Sequence, residues 1–105
     1  MADQAVIVHM KLSDGGFGTA AERQDLMAFE DRLEDVIDEA GAGEFDGNEF
    51  GGGECVWYMY GPDADALYRA VEPLIREAKP RRGSFVVKRR GAPGDLGAKE
   101  ETVTL

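Results

Sequence analysis

Gly16 to Ala21 is the first stretch whose residue types and spacing could hold a cofactor. Its sequence, Gly-Phe-Gly-Thr-Ala-Ala, follows an apolar segment and opens a helical one, which is the G-x-G-x-x-A form of a dinucleotide fingerprint. Amides at such a helix N-terminus can cradle a pyrophosphate. A mononucleotide-binding unit then needs an apolar parallel strand that ends in an acid, and GEFDGNEF follows instead. We therefore interpret the stretch as an ordinary strand-to-helix turn and predict no cofactor.

A second candidate site is a group of acids around a glycine-rich hairpin. Its members are Glu44, Asp46, Glu49 and Glu54. Asp46-Gly-Asn48 begins like a calcium loop, but Trp57 occupies the place of the final bidentate glutamate and flanking helices are absent. We keep this group as the alternative ligand site, for a small ligand or a divalent cation, and assign no metal ligands. The other interpretation is a charged hairpin that discourages edge pairing.

His9 and Cys55 are the only histidine and the only cysteine. One cysteine cannot form an internal disulfide or a CxxC pair. A thiol acts as a nucleophile only with a base beside it, and alternation places Cys55 on the inward face of its strand, so we interpret it as a core residue. We assign no catalytic residue, and enzymatic activity is only our third hypothesis.

The segment from Glu54 to Tyr60 is the strongest predicted strand. Alternation places Cys55, Trp57 and Met59 on one face, and Val56, Tyr58 and Tyr60 on the other. RNA recognition motifs also stack bases on aromatic residues of their sheet, and Lys88 to Arg90 lie on a later strand. The hairpin lacks the basic residue that opens that signature, and its surroundings are acidic, which argues against nucleic acid.

Before this strand, the pattern predicts one strand and one helix. Ala5 to Leu12 alternates, with Val6, Val8, Met10 and Leu12 facing the core and Ile7, His9 and Lys11 on a half-open face. Thr19-Ala-Ala-Glu22 fits a capping box. The helix that it begins reaches about Ala40 and ends at Gly41 or Gly43. Glu44 to Phe50 is a weaker strand.

After the strand from Glu54 to Tyr60, the sequence again predicts a helix and a strand. Asp63 caps a second helix that contains Pro73, which should kink or restart it, and that ends at Pro80. Ser84 to Arg90 is the fourth strand, for which we predict that Phe85 and Val87 face inward, with Val86 as the alternative. Gly91 to Gly97 is a predicted loop. Glu100 to Leu105 is an optional edge strand that would bring Glu100 and Glu101 near Lys88 to Arg90.

The order βαββαβ predicts one α+β domain over residues 1–105, a two-layer sandwich of the ferredoxin-like class. Its antiparallel sheet would carry both helices on one face. The other face would be open and rich in aromatic side chains, which is typical of a contact surface. We therefore expect a non-enzymatic domain that binds a second copy or another protein through a surface centred on Ile7, His9, Tyr58 and Tyr60.

Composition restricts the partners. The hydrophobic content of 43% is ordinary for a globular domain, and the net charge is -9. Residues 1–68 contain sixteen acids and three bases, whereas residues 69–105 contain nine bases and five acids. An acidic body opposes nucleic acid and anionic membranes. The N-terminus lacks the features of a secretory signal, and no apolar run would span a bilayer, so we expect a cytoplasmic protein.

Two segments, DGNEFGGGE and YMYGPDADALYRAVEPLIRE, resemble a group of small bacterial proteins of unknown function. The shared features are an acidic glycine-rich hairpin and the Y-G-P-D-A-D-A-L start of a helix, and the resemblance covers Glu44 to Glu77. It implies a shared fold, with no catalytic residue to transfer.

Overall fold

The computed structural model describes residues 4–91 and 99–105, and the predicted loop from Gly91 to Gly97 lies outside them apart from its first residue. The described residues form seven elements. They are β1 (Gln4–Lys11), α1 (Ala20–Ala40), β2 (Glu44–Gly51), β3 (Glu54–Gly61), α2 (Ala64–Glu77), β4 (Phe85–Arg90) and β5 (Lys99–Thr104).

The five strands form one sheet in the order β2-β3-β1-β4-β5, and every neighbouring pair is antiparallel. The helices pack against each other, α1 also against β2, and α2 also against β1, β3 and β4. This is an α+β fold with a five-stranded antiparallel sheet and two helices, compatible with a two-layer sandwich.

The hydrophobic core lies between the sheet and the helices. Alternate residues of β1 and β3 enter it and are almost fully buried: Val6, Val8, Met10, Cys55, Trp57 and Met59. The helices contribute Leu33, Ile37, Leu67, Val71 and Ile75, each with no exposed surface. The inward faces that alternation predicts for β1 and β3 are therefore confirmed, and Cys55 is a core residue.

Both helices begin at the predicted caps. Thr19 and Glu22 form a complete capping box at α1, and Gly41 ends that helix in the left-handed conformation. Asp63 accepts hydrogen bonds from the amides of Asp65 and Ala66 at the start of α2. The second helix continues through Pro73 as one element.

The predicted inward face of β4 is wrong. Val86 is fully buried in the core, whereas Phe85 and Val87 are half-buried on the opposite side of the sheet. The register explains this, because Val86 pairs with the inward Val8 and Val87 pairs with the outward Ile7. Both faces of this short strand are apolar, so alternation alone did not distinguish them.

The optional fifth strand is present. It pairs with β4 so that Glu101 lies opposite Lys88 and Glu100 opposite Arg89, as the charge pattern predicts. Asp65, at the start of α2, accepts hydrogen bonds from Lys88 and Arg90, and Arg90 also bonds Glu101. This charge cluster attaches the last strand to the second helix.

The start of β2 and the end of β3 touch through their backbones. A Cβ at Gly43 would collide with the carbonyl oxygen of Tyr60, and one at Gly61 would collide with the carbonyl oxygen of Ala42. Only residues without a side chain allow this approach, because protein interiors do not compress to admit an extra atom.

We expect Gly61→Ala to lower the free energy of unfolding by about 1–3 kcal/mol or more, because the new methyl group meets rigid backbone. Gly47→Ala is the matched control, since a Cβ there has no atom within 4 Å. The control should change stability by less than about 0.5 kcal/mol. Denaturant unfolding would measure both, and equal effects would contradict the contact.

Candidate functional site

The sheet face turned away from the helices, the open face, carries all four predicted binding residues. The register aligns its side chains in four rows across the sheet. Three rows cross all five strands, namely Glu44-Tyr60-Ala5-Arg89-Glu100, Gly47-Tyr58-Ile7-Val87-Thr102 and Glu49-Val56-His9-Phe85-Thr104, and a shorter fourth row is Gly51-Glu54-Lys11. The centre of the face is therefore apolar and aromatic, and its two edges are polar.

The apolar side chains of the open face cover one another. Ala5 and Val56 are 5% and 7% exposed, and Ile7, Tyr58 and Tyr60 are half-buried. The large hydrophobic residues that are well exposed in the described chain lie elsewhere, Phe17 at 63% and Met27 at 48%. The centre of the open face is thus apolar, and its side chains are at least partly buried against one another.

His9 is held in place by two neighbours on the open face. Its ring stacks on Phe85, with centroids 4.4 Å apart and planes 11° apart. Its Nδ1 lies 3.0 Å from Oε1 of Glu54, and the side chains of this pair are only 23% and 25% exposed. His9 therefore contributes a rigid aromatic surface between Val56 and Phe85.

Tyr58 donates a hydrogen bond from its hydroxyl to Oε2 of Glu49, at 3.2 Å. Burial is the main cause that raises the pKa of the Tyr58 phenol, and the Glu49 carboxylate raises it further. The phenol therefore stays protonated at neutral pH and remains a donor.

Arg89 is the open-face residue that the sequence interpretation missed. It lies in the row of Tyr60 and Ala5, and its Nε is buried without a hydrogen-bond partner in the described part of the chain. If Val86 is taken as the inward residue, alternation along β4 places Arg89 on the open face. A buried guanidinium nitrogen without an acceptor is unfavourable, so this position would gain from a partner that supplies one.

The four acids of the alternative site do not converge. Glu44 and Glu49 pair with β3 in different rows of the open face, and Asp46 is exposed at the β-bulge between Phe45 and Gly47. Glu54 bonds His9. Over residues 4–91 and 99–105, no group of three or more His, Cys, Asp or Glu side chains is placed to hold a metal ion. Cation or ligand binding by these acids stays a prediction.

The basic residues of β4 are divided between the two faces. Lys88 and Arg90 lie on the helix side, where Asp65 and Glu101 bond them. The hydrogen bond from Arg90 is the main cause that lowers the pKa of the Asp65 carboxyl, and the bond from Lys88 is the second. The same carboxylates raise the pKa of the Arg90 guanidinium. Only Arg89 shares a face with Tyr58 and Tyr60, so the structure adds no support for base stacking beside a basic strand.

The amides of the loop before α1 are bonded by the chain's own carboxylates. Glu22 accepts hydrogen bonds from the amides of Ser13 and Thr19, and Asp14 accepts from those of Gly16 and Gly18. The strand that follows α1 is β2, at the sheet edge, and β1 has only antiparallel neighbours. The turn interpretation of Gly16 to Ala21 fits this arrangement, because a dinucleotide unit needs free amides and a parallel strand.

We expect Glu22 to make the fold acid-sensitive. The Ser13 hydroxyl, and then the Thr19 and Ser13 amides, lower the pKa of Glu22 from 4.5 to about 2. Because the folded-state pKa is the lower one, the stabilisation is present above about 4.5 and is lost as the pH falls toward about 2. Glu22→Gln should lower the melting temperature at neutral pH and flatten its acid decline.

Glu34→Gln is the control for this experiment, because Glu34 is an exposed carboxylate in the middle of α1. It should keep the wild-type decline. Parallel curves for wild type and Glu22→Gln would contradict the role of the Glu22 carboxylate.

Cys55 lies in a partly polar pocket of the core, beneath α1. Glu30 accepts two hydrogen bonds from the Asn48 amide, and burial raises the pKa of the Glu30 carboxyl. The Trp57 indole N–H is buried and makes no hydrogen bond of ordinary geometry within the described residues. It is still close enough to Glu30 to offset part of the rise in the Glu30 pKa. Burial, and the nearby Glu30, raise the pKa of the Cys55 thiol to about 12. A protonated, buried thiol is a poor nucleophile.

We therefore expect the native protein to resist thiol labelling. A disulfide reagent such as DTNB should react with Cys55 at mildly basic pH only as fast as the fold opens, because reagent and hydroxide are both excluded. Full reaction should follow in denaturant. Immediate stoichiometric reaction of folded protein would contradict a structural Cys55.

No protein-family model, no curated protein and no solved structure matches this chain. In the described ranges, none of the helices combines the length and the apolar character that crossing a bilayer requires.

Proposed function

We propose that this chain is a non-enzymatic interaction domain of the ferredoxin-like class, and that it forms a homodimer through its open sheet face. The class assignment is supported by the all-antiparallel order β2-β3-β1-β4, which a βαββαβ chain with right-handed crossovers produces. β5 extends that sheet at one edge. The dimer is supported chiefly by the apolar centre of the open face, which neither α1 nor α2 covers.

The size of the open face suits a dimer. β1 contains 8 residues, which makes it about 27 Å long, and five strands span about 24 Å. The flat area is therefore on the order of 600 Å². Side-chain relief makes the accessible area larger, and stable complexes bury about 800 Å² on each partner.

The hydrogen-bonding need of Arg89 favours one orientation of the second copy. The β2 side of the open face carries Glu44 and Glu49, whereas the β4 side carries Arg89. A two-fold axis along β1 lays the β2–β3 half of each copy over the β4–β5 half of the other. It brings Arg89 toward the partner's Tyr60, whose ring can make a cation–π contact and whose hydroxyl oxygen can accept a hydrogen bond from the guanidinium. An axis across the strands, through Ile7, would instead set Arg89 over the partner's Phe85, which has no hydrogen-bond acceptor. Glu44 would face the partner's Glu100 under the first axis and the partner's Glu49 under the second, so the carboxylates do not distinguish the two.

The proposal predicts a dimer in sedimentation or light scattering, at low and at high salt, since apolar contact dominates. Tyr58→Asp should weaken association by at least about 100-fold while circular dichroism stays unchanged, because the carboxylate would be buried against apolar side chains. Met27→Gln and Phe17→Ser are the controls, because these residues are the exposed hydrophobics outside the open face. A wild-type monomer at high concentration, or dissociation by the controls alone, would refute the proposed interface.

Cross-linking tests the axis. Ile7 lies on the central strand, so Ile7→Cys should join two copies through a short bis-maleimide linker. Thr102, on the β5 side, meets the β2 side of the partner under the proposed axis. Thr102→Cys should therefore not join to itself, and efficient self-linkage at 102 would indicate the axis across the strands.

A further inference from the structure

A cleft of about 290 Å³ opens at the end of the molecule where β1 ends, α1 begins and α2 ends. Its floor is the edge of the hydrophobic core: Met10 and Leu12 are buried, and Leu26 and Ala78 are partly buried against them. This volume lies near the lower end of the range for small-molecule sites, about 300–1,000 Å³. The cleft therefore has room for a short apolar chain.

Charged side chains form the rim of this cleft. Lys11, Lys79 and Arg81 supply positive charge, and Glu22 and Asp25 supply negative charge. The Glu22 carboxylate is already held by Ser13 and Thr19 and lies 3.8 Å from Nε of Arg81. Lys79 makes no ion pair within the described residues, and neither does Asp25. The rim thus keeps one unpaired ammonium and a loosely paired guanidinium, both from the segment between α2 and β4.

The backbone at Lys79 is an independent sign of a specialised position. Lys79 has φ of 55°, and no other residue of the described ranges except glycine has a positive φ. It follows Ala78, the C-cap of α2, at a position where helices usually place glycine because a side chain is strained there. Strained residues concentrate at binding sites, and here the strain holds a lysine at the mouth of a cleft.

We propose that this cleft binds a small carboxylate with a short apolar chain. The chain lies on Met10, Leu12 and Leu26, which removes apolar surface from water. The carboxylate lies between Lys79 and Arg81, whose N–H groups donate to it. Asp25 of α1 also lines the cleft and repels the anion, which limits affinity and disfavours more highly charged anions.

Hexanoate is a probe of suitable size, and hexanamide is its neutral counterpart of the same shape. Titrations followed by amide chemical shifts should show hexanoate binding with shifts grouped at the cleft, and hexanamide binding about tenfold or more weakly. Lys79→Gly should weaken hexanoate about tenfold or more without lowering the melting temperature, because glycine accepts the positive φ without strain. Asp25→Asn should tighten hexanoate by removing the repulsion.

Arg82→Ala is the matched control, since Arg82 is an exposed base of the same loop that does not line the cleft. It should leave hexanoate binding unchanged. No binding of hexanoate, equal binding of hexanamide, equal losses in Lys79→Gly and Arg82→Ala, or weaker binding by Asp25→Asn would each overturn the proposal. The cleft shares Lys11 with the end of the open face but none of Ile7, His9, Tyr58 and Tyr60, so Tyr58→Asp should bind hexanoate like wild type whatever its oligomeric state.

Discussion

The central strand β1 is hydrogen-bonded on both sides, to β3 and to β4, and this double pairing decides the face of nearly every side chain in the sheet. Because side chains alternate, a shift of one residue would expose Val6 and Val8 and drive His9 into the core. The buried row therefore locks the register, and the locked register aligns Tyr58, Ile7 and Val87 on the opposite side. The core and the open face are two consequences of one pairing.

Much of this arrangement could be predicted because it depends on local chemistry. Helix starts follow from hydroxyl and carboxylate side chains that bond the first free amides, which is why Thr19 and Asp63 were recognisable as caps. The turns follow from glycine, and the charge match of β5 with β4 follows from adjacent residues on paired strands. These signals need no knowledge of the rest of the fold.

The remaining features depend on contacts between distant parts of the chain. The three apolar residues from Phe85 to Val87 look alike from either side, so only pairing with β1 could show that Val86 is buried and that Arg89 reaches the open face. The cleft joins Leu12, Leu26 and Lys79, which come from three separate elements or their ends. Residue types without tertiary placement carry no signal for such a cavity.

The last strand, β5, protects the edge of the sheet at β4. Without β5, the unpaired backbone groups of β4 would form an open edge, which recruits strands from other chains. β5 pairs with β4 and becomes the new edge strand, which carries charged and hydroxyl side chains. It is attached by a hydrogen bond from the Leu105 amide to the Ser84 carbonyl, and by ion pairs of Lys88 and Arg90 with Glu101. Ionic attachments are screened by salt, whereas the core pairing of β1 is not. High ionic strength would thus speed amide exchange first in β5, and aggregation would begin from that edge.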